Sequence, residues 1–270
     1  MENINLYHAD YSTCSQKVRL ALAEKNIPYT EVRINFRKEE QLKPEYLQIN
    51  PNGVVPTLVH NNDVITDSSC ILEYLEDVFT DVSLSPEQAI ERAKMRSWLR
   101  YMEEVPTKAI RIPSFENIFL PTLRIIKSKR SFDKLTSKRT IRRGFYAKMN
   151  RGQGFTDSDI HDSIYQLRDT VLRINSALDN NQWIMGENLS LVDISLLPLI
   201  DRAEDLGMNF LWNDLPAVKN WLSRLQTRPS FKTAFYKGSR LSERLEFKIA
   251  VKRSRKRNET LTLDHYLKQT

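Results

Sequence analysis

NPNGVVPTLVHNNDVITDSSCILEYLEDVF, residues 50–79, decides the fold of this chain. Asn50-Pro51-Asn52-Gly53 is a turn signature, and the run Val54-Val55-Pro56-Thr57-Leu58-Val59 behind it is apolar enough for a strand. A proline inside such a run either demotes it to a sheet edge or marks a special peptide bond, a cis one. Asn61-Asn62-Asp63 reads as a hairpin turn and Val64-Ile65-Thr66 as its return strand. Asp67 or Ser68 then caps a helix whose Ile71, Leu72, Tyr74, Leu75 and Phe79 recur at helical spacing.

Toward the N-terminus, Asn3 to His8 reads as a strand and Ser15 to Lys25 as a helix that Asn26-Ile27-Pro28 breaks. Tyr29 to Ile34 alternates as a second strand, and residues 38–48 are a short polar helix at best. The order β-α-β-α-β-β-α, an antiparallel hairpin after a βαβ unit, is that of a thioredoxin-like fold, with Pro56 where such folds keep a cis-proline. Beyond the linker Thr80–Pro86 the pattern is helical: Glu87–Glu104, a basic stretch from about Leu120 to Lys148, Thr156–Leu178, Leu191–Leu206 and Ala217–Thr227. Ser190-Leu191-Val192-Asp193 has the form of a capping box, with Leu189 as a hydrophobic staple. The expected architecture is therefore α+β. A thioredoxin-like domain spans residues 1–82, an all-helical domain 87–240, and a basic tail or loose helix 241–270.

Composition narrows the function classes. The 270 residues suffice for one large or two modest cores, and seven glycines fit a helix-rich chain. Two cysteines, Cys14 and Cys70, make no disulfide framework, and no zinc-ligand spacing is visible, so no metal is expected. No charged-then-apolar leader opens the chain and no run of about 18 apolar residues crosses a membrane. The expectation is a reducing, cytoplasmic setting. The net charge of +7 is concentrated in Lys108–Arg151 and Arg240–Arg257. The first of these stretches is a solvated helix face, a positive rim that draws in anionic aromatic substrates, or a contact for acidic lipid or nucleic acid. The last of the three ranks lowest.

Chemistry points to Tyr11-Ser12-Thr13-Cys14-Ser15-Gln16-Lys17-Val18-Arg19-Leu20, which places two hydroxyls and a thiol in the turn before the first helix. A helix N-terminus offers unpaired N–H groups and partial positive charge, which suits a thiolate. Sulfur chemistry then falls either on Cys14 or on a thiol cofactor held by Ser12; the plain alternative is that Ser12 or Thr13 only caps the helix. Cys70 reads as core, His8 as an ordinary strand-end histidine, and Tyr11 as a wall or a phenol donor.

Together these elements resemble the cytosolic glutathione S-transferases over about residues 3–235. Ser12-Thr13-Cys14-Ser15-Gln16-Lys17-Val18-Arg19 is similar to the S-x-C-S-x-[RK]-x-R element of the zeta class and of bacterial tetrachlorohydroquinone dehalogenases. Asn50-Pro51-x-Gly53-x-Val55-Pro56-x-Leu58 resembles the family's cis-proline strand. Thr66-Asp67-Ser68-x-x-Ile71-x-x-Tyr74-Leu75 resembles its γ-glutamyl-binding helix start, and Leu189-Ser190-x-x-Asp193-Ile194 its capping motif. The resemblance implies glutathione as cosubstrate. Ser12 would hydrogen-bond its thiolate, the Val55 backbone would pair with its cysteinyl amide, and Pro56 would end the strand there. Ser68 and Asp67 would hold the γ-glutamyl carboxylate and ammonium, with Gln41 a further contact by its spacing from Val55.

Two mechanisms follow from that resemblance. With Ser12 dominant, thiolate attacks an aromatic or unsaturated electrophile. With Cys14 active, the cysteine attacks a glutathionyl intermediate and a second glutathione resolves the mixed disulfide, as in reductive dehalogenases; isomerases and β-aryl etherases share the element. The resemblance also implies a homodimer and a small-molecule electrophile, aromatic or unsaturated and anionic; Met95, Trp98, Leu99, Tyr101 and Met102 are at a spacing that fits either walls for it or core. The contrasting class is a non-catalytic binding or regulatory module. Retention of Ser12, Val55-Pro56 and Asp67-Ser68 favours the enzyme.

Overall fold

The computed structural model describes residues 3–126, 141–150, 154–259 and 261. Its N-terminal half is a four-stranded sheet in the order β2-β1-β3-β4, formed by β1 (Ile4–His8), β2 (Thr30–Arg33), β3 (Thr57–His60) and β4 (Asp63–Thr66). β1 runs parallel to β2 and antiparallel to β3, with Leu6 opposite Leu58, and β3 and β4 form the hairpin. Helix α1 (Thr13–Glu24) links β1 to β2. Two single 3-10 turns, Phe36–Lys38 and Glu40–Leu42, and the one-turn α2 (Pro44–Leu47) take the place of the short polar helix expected over 38–48. α3 (Ser68–Val78) follows the hairpin.

β3 lies inside the sheet, so the edge reading of Pro56 fails and the special-bond reading holds: Val55-Pro56 is cis. β3 begins only at Thr57, and no ladder hydrogen bond is asked of the proline. The preceding turn is locked from behind. Asn50, fully buried, donates through Nδ2 to the Val54 carbonyl (3.0 Å) and to Thr57 Oγ1 (2.9 Å). The Tyr46 hydroxyl donates to the same carbonyl at 2.6 Å. Gly53 sits at φ +60°, and a Cβ there would lie 2.8 Å from Leu42 Cδ2. Glycine thus lets the turn carrying Gln41 close against this loop.

The second half is helical: α4 (Ala89–Glu104), the short α5 (Pro106–Ala109) and α6 (Arg111–Ser114), a π turn over Phe115–Phe119, then α7 (Leu120–Ile126). After the gap in the described residues come α8 (Arg143–Asn150), α9 (Asp157–Leu178), α10 (Leu191–Asp205), α11 (Pro216–Thr227), α12 (Pro229–Ala234) and α13 (Lys248–Asn258). The expected capping box closes α10 from the interior. The buried Asp193 carboxylate accepts from Ser190 N (3.0 Å), Ser190 Oγ (2.8 Å), Ile184 N (3.1 Å) and Trp221 Nε1 (2.8 Å).

The two halves meet on α1, which packs against α3 on one side and α10 and α12 on the other. Every residue from Ser15 to Leu22 is buried, the polar ones included. Gln16 Nε2 donates to the Ser239 carbonyl at 2.8 Å, and Arg19 donates to the carbonyls of Ala234 (3.0 Å) and Asp10 (2.9 Å). The Lys17 ammonium meets Glu103 Oε1 at 2.5 Å. Burial alone would raise the Glu103 carboxyl, but Lys17 and the Ser69 hydroxyl outweigh it and hold it below the usual range. Polar side chains in the middle of α1 therefore clamp one half to the other.

Two expectations are corrected. Cys70 is exposed, because α3 buries the face carrying Ser68, Ile71, Leu72 and Leu75 and turns Cys70 away. The segment after Arg240 is no loose tail through Asn258: Leu241, Phe247 and Val251 are buried, and Ser254 and Asn258 both donate to the Leu206 carbonyl. Gly207, at φ +78°, lies so close that a Cβ would stand 2.8 Å from Arg255 Cα. The basic run Lys127–Arg139, together with Arg151 and residues 262–270, lies outside the described residues. In the described part of the basic stretch, Lys148 pairs with Asp159 (2.5 Å) and Lys108 with Glu104 (2.5 Å). Among the described residues no helix is long and apolar enough to cross a membrane.

Candidate active site

A cleft of about 250 Å³ opens where the N-terminus of α1 faces the helical half. One wall comes from the sheet domain and includes Tyr11, Ser12, Cys14, Gln41, Gly53 and Val55. The other is helical and includes Thr107, Arg111, Phe115, Phe119, Tyr146 and Phe247.

Ser12 is the N-cap of α1, and its Oγ accepts from Ser15 N at 3.3 Å. The capping reading is thus correct, yet it leaves the chemistry intact. A hydroxyl that accepts from the backbone still has its own proton to donate into the cleft. The first N–H groups of α1 have no intrahelical acceptor and add positive potential beside it. Cys14, half-buried one residue inside the helix, lines the same cleft.

Gln41 is 5% exposed on the cleft wall, and its Oε1 has no hydrogen-bond partner among the described residues. Such an orphan is costly in a folded protein and marks a place for a ligand donor. Val55 shares this wall, and its peptide groups precede the first strand residue, Thr57. The structure therefore brings Ser12, Cys14, Gln41 and Val55 together, with Pro56 immediately behind them. Asp67 and Ser68 are not among the cleft-lining residues. Asp67, at φ +69°, caps α3 by accepting from Ser69 N (2.9 Å) and Cys70 N (3.3 Å), while Ser68 is buried beneath it.

Tyr11 is a wall. Its ring packs against Phe36, Phe119 and Phe247 at centroid distances of 5.8, 5.8 and 5.5 Å, and burial pushes its phenol up to about 12. His8 is fully buried with Nδ1 3.0 Å from Arg19 Nη1, outside the cleft lining. Of the two readings for Met95, Leu99 and Met102, core is the one observed, and Tyr101 hydrogen-bonds Thr170 at 2.9 Å. α4 spends its apolar stripe on the domain core, and the chain reaches the cleft only after Pro106. Thr107, Arg111, Phe115 and Phe247 were not singled out as site residues from the sequence; the four-residue spacing of Thr107 and Arg111 was the available signal. Among the described residues no three His, Cys, Asp or Glu side chains gather as metal ligands.

Comparison with known proteins places the chain. Residues 6–82 match the family model "Glutathione S-transferase, N-terminal domain" and residues 159–229 match "Glutathione S-transferase, C-terminal domain". The chain is 26% identical over 241 residues to Glutathione S-transferase TCHQD of Arabidopsis thaliana, covering 85% of this chain and 88% of that protein. It is 26% identical over 242 residues to the tetrachloro-p-hydroquinone reductive dehalogenase of Sphingobium chlorophenolicum, covering 87% and 96%. Among solved structures, the beta-etherase LigF of a Sphingobium strain superposes with a TM-score of 0.78 at 26% identity, covering 87% of this chain and all of that one.

Proposed function

The chain belongs to the glutathione S-transferase family, and on that footing we propose that it activates glutathione for attack on an aromatic electrophile bound in the cleft between its halves. The observation that carries this reading is the convergence of the Ser12 hydroxyl, the orphaned Gln41 Oε1 and the Val55 backbone on one wall. Bound glutathione supplies the thiol nucleophile. Ser12 donates its hydroxyl proton to the sulfur, and the α1 N-terminus adds favourable potential; both lower the thiol pKa so that thiolate persists near neutral pH. Val55 offers its unladdered peptide to the cysteinyl amide. Gln41 accepts from an N–H of the tripeptide, which satisfies its buried oxygen. Ser68 and Asp67, at the α3 N-terminus, are assigned to the γ-glutamyl end.

The wall opposite is aromatic, with Phe115, Phe119, Tyr146 and Phe247 available to stack an aryl ring. The likeness to a beta-etherase and to a hydroquinone dehalogenase supports an aryl compound as the electrophile. A second mechanism is supported by Cys14 lining the same cleft: its sulfur can attack the sulfur of a glutathionyl adduct, breaking the carbon–sulfur bond as the reduced arene leaves with a proton, and a second glutathione then frees Cys14 from the mixed disulfide as glutathione disulfide.

The test is steady-state turnover with glutathione across a chloronitrobenzene, a halogenated hydroquinone, maleylacetone and a β-aryl ether, in the wild type, Ser12→Ala and Cys14→Ala. Loss in Ser12→Ala alone, by roughly a hundredfold in kcat, supports the serine-type reaction. A stall in Cys14→Ala with release of a glutathione adduct supports disulfide exchange. No turnover together with no glutathione binding by calorimetry overturns the enzyme reading in favour of a binding module.

A further inference from the structure

Two groups on the helical wall stand outside the roles assigned above. Thr107 is 4% exposed and faces the cleft, and its Oγ1 has no hydrogen-bond partner among the described residues. Arg111 stands four residues later in a continuous helical path, so its side chain shares that face. Its guanidinium lies 5.5 Å from the centroid of Phe145 and, among the described residues, is hydrogen-bonded to no carboxylate.

A second guanidinium, that of Arg142, lines the same cleft. Burial first, and Arg142 next, hold Arg111 below the ordinary arginine range; Cys14, Tyr146 and Glu103 act in the opposite sense. Glu103 is engaged by Lys17 and by the Ser69 hydroxyl at 3.0 Å, and the Arg142 charge also acts to hold its carboxyl down. The other carboxylates on the cleft are Glu246, which pairs with Arg244 at 2.8 Å, and Glu39 across the opening. Two like charges and a dry hydroxyl thus line one cleft. Burying such a constellation is unfavourable unless a ligand completes it.

We infer that Thr107, Arg111 and Arg142 form an anion-binding subsite that takes a carboxylate on the aromatic electrophile. Arg111 engages it as a planar two-pronged donor, Thr107 adds a hydroxyl, and Phe115 and Phe119 hold the ring between this subsite and the sulfur. The inference rests on the proposed glutathione reading for the opposite wall and names the substrate class within it: an aryl electrophile carrying an acidic group. Glutathione has carboxylates of its own, so the test separates the two sources.

The probes are a chloro-dinitrobenzoate and its neutral primary amide, in both of which the glutathione thiolate displaces chloride from the ring. The wild type turns over the acid in preference to the amide. Arg111→Ala lowers the acid-to-amide ratio of kcat/KM by roughly tenfold or more, Arg142→Ala lowers it less, and Arg111→Lys restores part of it. Calorimetric binding of a dinitrobenzoate and its primary amide, both without a leaving group and with no glutathione present, reads the same preference as a ratio of affinities. The subsite therefore stands or falls even where turnover fails. Should Arg111→Ala not fold, Arg111→Lys and Arg142→Ala give the answer. A ratio unchanged in folded variants overturns the inference, as does a rise confined to KM for glutathione, which assigns the guanidinium to the tripeptide.

Discussion

Acid should weaken this fold through one buried imidazole. His8 ends β1 with no exposed surface, its Nδ1 3.0 Å from Arg19 Nη1 and its Nε2 3.7 Å from Glu31 Oε1. Arginine always donates, so Nδ1 accepts and the folded ring is neutral. Burial foremost, and the Arg19 charge next, hold it down to about 4 from its usual 6.5, against the opposite pull of Glu31 and Asp10; Arg33 adds to the depression. In the unfolded chain the ring protonates near its ordinary value. Across that window the unfolded state binds more protons, so stability rises with pH and is lost as the solution is acidified. At about 1.4 kcal/mol per decade the full gap is worth roughly 3 kcal/mol. His8→Asn keeps an acceptor for Arg19 and cannot titrate. Urea unfolding at about pH 7 and about pH 4.5 should show the wild type losing roughly 2 kcal/mol more than His8→Asn. Equal losses in the two proteins would refute the assignment.

The Lys17–Glu103 pair crosses from α1 to α4, with Lys17 2% exposed. Glu103→Ala should cost about 3 kcal/mol in denaturant unfolding by leaving a buried ammonium unpaired, whereas the double variant Lys17→Met/Glu103→Leu should recover most of it. At Gly207 a methyl group meets the Arg255 backbone at positive φ, so Gly207→Ala should destabilise by about 2 kcal/mol. It should also speed proteolysis between Leu241 and Asn258 and raise KM for the electrophile more than for glutathione, because Phe247 is carried on that segment.

The sheet domain was legible because its signals are local. Asn50-Pro51-Asn52-Gly53 and Val55-Pro56, the hairpin turn, and the Asp67 cap each act within a few residues, and the observed elements fall within a few residues of those expected. Ser12 was legible as a cap and as a cleft residue together, since both placements follow from one position at a helix start. The buried roles of Gln16, Lys17 and Arg19 were not. Their partners Ser239, Glu103 and Ala234 lie 86 to 223 residues away, and polar residues on a helix ordinarily mark a solvent face. The same distance hid the helical wall. Phe247 reaches the cleft only because α13 folds back on Leu206, and Arg111 faces it only because the helical path resumes in a new direction at Pro106. Cys70 was misplaced by one step of helical phase, a resolution that a short apolar stripe does not provide.

The central claim is that the Ser12 hydroxyl, not the cleft in general, makes the bound thiol acidic. It is tested by titrating the ultraviolet thiolate absorbance of bound glutathione with pH in the wild type and in Ser12→Ala. The account predicts a bound thiol at least about one pKa unit below an ordinary thiol near 8.5, and a return by about that much in Ser12→Ala with glutathione still bound. An unshifted thiol in the wild type, or the same depression in Ser12→Ala, would contradict it.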